Sequence, residues 1–169
     1  MKPPMTSWRS ALILAAALLL FIALALAEVM AGDSTTPWAS HIQKVEDALA
    51  MKNVSAARQA WVGLYAVALR SQRWEGILEA GDLYLRIGEI AGARKDYEGE
   101  ARRIYRIALV RARQQGSLEG VLSATEAFAR LGDHEVADYC LRIAEGMAAQ
   151  MRDQEISNRV SAFRAVSGP

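Results

Sequence analysis

The chain has 169 residues, with 20 Lys and Arg against 19 Asp and Glu and a formal net charge of +1. That balance excludes the global basicity of a nucleic-acid binder, and the length suits one domain plus a targeting segment. A single cysteine, Cys140, excludes an intrachain disulfide. Packing alone must therefore hold the fold, and Cys140 reads as a small buried apolar residue. Proline is scarce while alanine, leucine, arginine and glutamate abound, and period-two runs of Val, Ile and Thr are missing. The expected fold class is all-α, without a sheet.

The N-terminus reads as a separate object. Lys2 and Arg9 precede an unbroken apolar run of 17 residues from Ala11 to Ala27. This length falls between a signal-peptide core and a membrane-spanning helix. Ala25-Leu26-Ala27 and Val29-Met30-Ala31 both have the small-x-small form that a signal peptidase needs. Residues 1–31 are thus expected to be a signal peptide or a membrane anchor. No Lys or Arg occurs between the run and Lys44, so the positive-inside bias sends the rest of the chain out of the cytoplasm. Cleavage would leave a periplasmic protein, and retention would leave a domain tethered to the inner membrane. Residues 32–37 (GDSTTP) form a polar linker.

The folded domain is expected over residues 38–166. A first helix spans Trp38 to Met51, with Thr36 or Ser40 as its cap and a turn at Lys52-Asn53. A second runs from Val54 to Ser71, with Ala57, Trp61, Tyr65 and Ala68 on one face and Gly63 admitting a close neighbour. A third runs from Trp74 to Ile87 and ends at Gly88. A fourth, long helix runs from Ile90 to about Gln115. Ser117 caps a fifth, which stops at Gly132-Asp133. A sixth starts near His134 and reaches about Gln150, and Met151 to Phe163 has helical spacing as well. Each helix has one apolar stripe, so each must bury it against a neighbouring hairpin.

A stretch of this pattern occurs twice. EGILEAGDLYLRIGEIAGA from Glu75 returns as EGVLSATEAFARLGDHEVA from Glu119, an offset of 44 (119 − 75). Ala80-Gly81, Tyr84, Gly88, Ala93 and Tyr97 follow the order small, aromatic, glycine turn, small, bulky. Ala124, Phe128, Gly132, Ala137, Leu141 and Ala144 follow it again, and Val54, Ala57 and Trp61 mark a degenerate first unit. Over Trp38 to Gln150 the chain resembles the tetratricopeptide repeat, whose helical hairpins stack into a solenoid. The offset departs from that family's period of about 34 residues, and the proline that usually follows the second helix is absent.

The resemblance implies that the first helix of each unit lines a groove that holds a peptide or helix of a partner protein. The residues placed there are Ile42, Glu46 and Leu49 in the first unit, Leu78, Asp82, Leu85 and Arg86 in the second, and Leu122, Glu126 and Arg130 in the third. A repeated acidic residue between apolar ones suits an extended or helical segment carrying a basic residue. The fourth helix is locally basic, and its face reads as self-paired and solvated, or as a contact for an acidic surface or anionic lipid headgroups. No HExxH, CxxC, phosphate-binding glycine loop or nucleophile elbow occurs. The expected function is non-catalytic protein binding in the cell envelope, without cofactor, metal or nucleic acid. The alternative is a membrane-anchored accessory subunit or assembly factor of an envelope complex.

Overall fold

Successive helices reverse direction because only two or three residues join each pair. In the computed structural model, which describes residues 36–151, 158 and 160–164, the helices are α1 (Ala39–Ala50), α2 (Val54–Ser71), α3 (Trp74–Ile90), α4 (Arg94–Gln114), α5 (Leu118–Arg130) and α6 (His134–Met151). Asn158 and residues 160–164 are helical too, and no strand occurs among the described residues. The proposed targeting segment (1–31) and most of the linker lie outside them. Among the described residues no helix is long and apolar enough to cross a membrane.

Local chemistry sets the helix boundaries. The side chain of Asn53 accepts a hydrogen bond from Ala56 N–H, and that of Ser117 from Gly120 N–H, each at 3.0 Å. These caps start α2 and α5 by satisfying one amide of each open helix end. The expected cap of α1 is not found: Trp38 occupies the N-cap position, with no side-chain cap hydrogen bond. Each of the five connections contains one left-handed residue: Lys52, Gln72, Gly92, Gly116 and Gly132.

Gly88 corrects the sequence reading of α3. The helix continues through it to Ile90, and the left-handed residue is Gly92, with φ of 67°. Gly88 is buried, and a Cβ placed on it would lie 2.7 Å from the Tyr97 ring of α4. Glycine is therefore needed there for close approach rather than for a turn. As a result α3 has 17 residues and α5 has 13, about one extra turn. The 44-residue register holds at the start of the first helices (Trp74 and Leu118) and slips to 40 (134 − 94) at the start of the second helices. The equivalence of Ala93 with Ala137 fails accordingly. Ala93 is the N-cap of α4, whereas Ala137 is buried within α6.

The helices pack as hairpins α1/α2, α3/α4 and α5/α6, and α2 and α4 pack on the first helix of the following pair. First helices also touch one another directly, α1 on α3 and α3 on α5. Two apolar clusters result. One gathers Trp38, Val45, Trp61, Leu64, Ile77 and Ile104, and the other Trp74, Tyr105, Val121, Phe128, Cys140 and Val160. Leu64, missing from the stripe read in the sequence, is fully buried. Small residues make the close crossings: Ala57, Ala68, Ala80, Ala108, Ala124 and Ala144 are all buried. A tryptophan–glycine contact repeats between units. A Cβ on Gly76 would meet the Trp38 ring at 2.6 Å, and one on Gly120 would meet the Trp74 ring at 2.7 Å. The first two units thus each begin with an indole that seats on the first helix of the next.

Cys140 is fully buried, as its helical position implied. Burial pushes its thiol up to about 11, against a weaker opposing effect of Thr125. Disfavouring the thiolate in the folded state makes Cys140 inert in the native protein. Iodoacetamide at about pH 8 is expected to label it only after unfolding. Rapid labelling of the native chain would contradict the buried position. The linkage also has a definite sign. The folded protein holds this proton more tightly than the unfolded chain, so stability is expected to fall as pH rises from 9.0 towards about 11.

Candidate functional site

The ten residues placed on the first-helix face by sequence separate into three groups. Leu49 and Leu85 are buried, at 3% and 5% exposure. Leu49 belongs to the core, and Leu85 contributes the floor of a shallow depression. Ile42, Leu78 and Leu122 are half-buried and pack against the apolar clusters. Glu46, Asp82, Arg86, Glu126 and Arg130 carry the polar chemistry of the face.

Four of these five form a ladder. Arg86 of α3 pairs with Glu46 of α1, and Arg130 of α5 pairs with Asp82 of α3 at 2.8 Å. The spacing explains the repetition. An acid at one position of a first helix meets the arginine that the next unit carries one turn further along its own first helix. The Tyr105 hydroxyl of α4 also donates to Asp82 Oδ1, at 2.6 Å. Tyr105 is fully buried and burial raises its pKa, with Asp82 adding to the effect. For Arg130, burial works against the charge, but Asp82 and Tyr105 outweigh it and raise the pKa. Glu126 has no such partner among the described residues and is exposed. Asp82, Leu85, Arg86, Glu89, Arg94 and Arg130 enclose a depression of about 330 Å³ between the ladder steps. Glu89 is itself paired with Arg94.

The second-helix side differs in chemistry and was only partly legible in the sequence. Trp61 and Tyr65 of α2 stack at 5.0 Å between ring centroids, and Trp61 meets Tyr84 of α3 at 4.6 Å. Trp61 Nε1 donates to the Ala80 carbonyl at 2.7 Å, which fixes the indole against α3. A depression of about 590 Å³ opens beside these rings, lined by Val54, Arg58, Gln59, Val62 and Tyr84 among others. A second, of about 510 Å³, lies along α4 between Arg103, Arg106, Ile107, Val110, Arg111 and Gln114. The Arg103 guanidinium, paired with Glu100, donates to the Tyr65 hydroxyl at 3.4 Å and so joins α4 to α2. The signal available in the sequence was the absence of any carboxylate from α2.

Among the described residues no group of three His, Cys, Asp or Glu side chains can hold a metal ion. Trp38, Trp61 and Trp74 are packing residues, each no more than 9% exposed. No family model matches the chain, and no curated protein or solved structure is significantly similar to it.

Proposed function

We propose that the chain is a non-catalytic protein-interaction module whose hairpins form a short, irregular tetratricopeptide-like array. The row of first helices is its receiving face for a peptide or helix of a partner. The observation that carries this reading is the repeated chemistry of that row. Half-buried Ile42, Leu78 and Leu122 recur beside an acid–arginine ladder whose last acid, Glu126, stays open. A segment laid along the row would add apolar contact at Leu122 and offer a basic residue to Glu126. The buried residues Leu49 and Leu85 then set the shape of the face rather than contact the partner. On the separate ground of the Lys2 and Arg9 flank of the Ala11–Ala27 run, we propose that the domain lies outside the cytoplasm, as a periplasmic adaptor.

A second reading, in which the chain is a membrane-anchored accessory subunit or assembly factor, draws on the Ala11–Ala27 run flanked on its N-terminal side by Lys2 and Arg9. Intact mass and membrane fractionation of the native protein separate the two. A mass beginning at Glu28 or Gly32 in the soluble fraction fits the adaptor, and a full-length mass in the membrane fraction fits the anchored subunit.

Site-specific photo-cross-linking in the native cells tests the receiving face. A photoreactive residue at Leu122 is expected to give a discrete protein adduct that Glu126→Arg abolishes. The same probe at exposed Tyr139 of α6 is expected to give none. Identical adducts from both positions, or none from Leu122, would refute the assignment of this face.

A further inference from the structure

The charge of this nearly neutral chain is sorted by layer. The first helices α1, α3 and α5 hold eight carboxylates against Lys44, Arg86 and Arg130, whereas α2 holds two arginines and no carboxylate. From Ala101 to Gln114 α4 carries five arginines and no carboxylate. The two arginines of the first-helix row are both neutralised by the ladder. On the second-helix side Arg58, Arg106 and Arg111 are in no ion pair among the described residues. The helix dipole explains a cation near the C-terminus of α4, such as Arg111, but gives no support to Arg58 near the N-terminal end of α2.

These cations border open depressions that also expose apolar side chains. Arg58 borders the depression with Val62 and Tyr84, and Arg106 and Arg111 border the one with Ile107 and Val110. Val62 and Val110 are 62% and 49% exposed and leave apolar surface open beside these arginines. The rings of Trp61 and Tyr65, with Arg103 on the Tyr65 hydroxyl, connect the two depressions. Both volumes fall within the range of about 300–1,000 Å³ typical of binding sites.

We propose that the α2–α4 face is a second docking surface, distinct from the first-helix row, for an acidic amphipathic segment of a partner protein. The charge pattern selects an anionic occupant, and the relief selects a polypeptide over a lipid surface. A peptide can lay apolar side chains on exposed Val62 and Val110 while its carboxylates reach the arginines, whereas a headgroup layer would meet the arginines alone. Arginine suits this role because its planar fork takes a carboxylate in two parallel hydrogen bonds. Asp and Glu of the segment would meet Arg58, Arg106 and Arg111, and its apolar residues would cover Val62 and Val110.

The experiment uses the full chain in neutral phosphatidylcholine nanodiscs, with an environment-sensitive fluorophore on Gln114→Cys. The probe is a synthetic helical peptide with leucines at i, i+3, i+4 and i+7 and glutamates between them. The peptide is expected to bind saturably and shift the emission, whereas its lysine counterpart does not. Arg106→Glu with Arg111→Glu, the first exposed and the second half-buried, is expected to weaken binding by roughly tenfold or more. Arg58→Glu should weaken it independently, and the charge reversal Lys44→Glu, exposed on α1, should leave it unchanged. Circular dichroism of each variant confirms the fold. No peptide binding, or binding indifferent to both arginine variants, overturns the proposal. So does an emission shift caused by phosphatidylglycerol nanodiscs without peptide, which assigns the face to lipid. Peptide-free self-association lost in the arginine variants assigns it instead to a second copy of the chain.

Discussion

Gly76→Ala is expected to destabilise the protein by about 1–3 kcal/mol, and to stabilise it once Trp38 is removed. Alanine inside a helix ordinarily gains about 0.5–1 kcal/mol over glycine, because the glycine backbone has more freedom to lose on folding. Here the added methyl would lie 2.6 Å from the Trp38 ring. The ring has no room to withdraw. It is 1% exposed, and its Nε1 is tied to Glu79 at 2.7 Å. Trp38→Ala alone should cost about 3–5 kcal/mol by leaving a cavity. In that background the clash is gone and the intrinsic preference for alanine returns. The interaction is read from a double-mutant cycle by urea unfolding. An equal cost of Gly76→Ala in both backgrounds would refute the interlock. The third unit supplies a contrast. The same experiment with Gly120→Ala and Trp74→Ala should show no such reversal, because the Ala112 Cβ lies at 2.6 Å and remains after the indole is gone.

The interlock also shows which parts of this structure are legible in sequence. Helix number and type follow from apolar spacing, and α2 was bounded at Val54–Ser71 from sequence alone. Helix ends were less legible where one residue type serves two purposes. A glycine that permits left-handed backbone and one that permits close packing look alike in a sequence, so Gly88 was read as a turn although the Tyr97 ring is its reason. The register slip from 44 to 40 comes from the extra turn that α3 makes past Gly88. The acid and arginine positions were legible as repeats, but their partners were not. Glu46 meets Arg86 forty positions away (86 − 46), and Asp82 meets Arg130 forty-eight away (130 − 82). Only the stacking of units brings them together. The depressions beside Trp61 and along α4 were hidden for a similar reason. Each depends on which side chains the neighbouring helices leave uncovered, and spacing within one helix does not encode that.

Asp82 separates a structural from a ligand-binding role on the first-helix face. Asp82→Ala is expected to cost about 2–3 kcal/mol, nearly all of it through Tyr105. The Asp82–Arg130 pair is 42% and 51% exposed, and an ion pair so open to solvent contributes about 0.2–1 kcal/mol. Tyr105 is fully buried, and Asp82 is the acceptor for its hydroxyl. Removing that acceptor leaves the hydroxyl proton without a partner, with only the Arg130 cation beside it, at a cost of about 1–3 kcal/mol. Three variants divide the effect. Asp82→Asn keeps an oxygen for the hydroxyl and should lose little. Arg130→Ala should lose less than about 1 kcal/mol. Tyr105→Phe combined with Asp82→Ala should recover most of the loss, since no buried hydroxyl is then left unpaired. Chemical denaturation of the four proteins checks this ordering. If Asp82→Ala leaves stability unchanged and instead abolishes the Leu122 cross-link, Asp82 meets the partner directly and the ladder is not what holds the units in register. If stability falls as expected and the cross-link persists at concentrations where the variant is folded, the ladder organises the face, and Glu126 is left as the acid on it that is free to receive a basic residue.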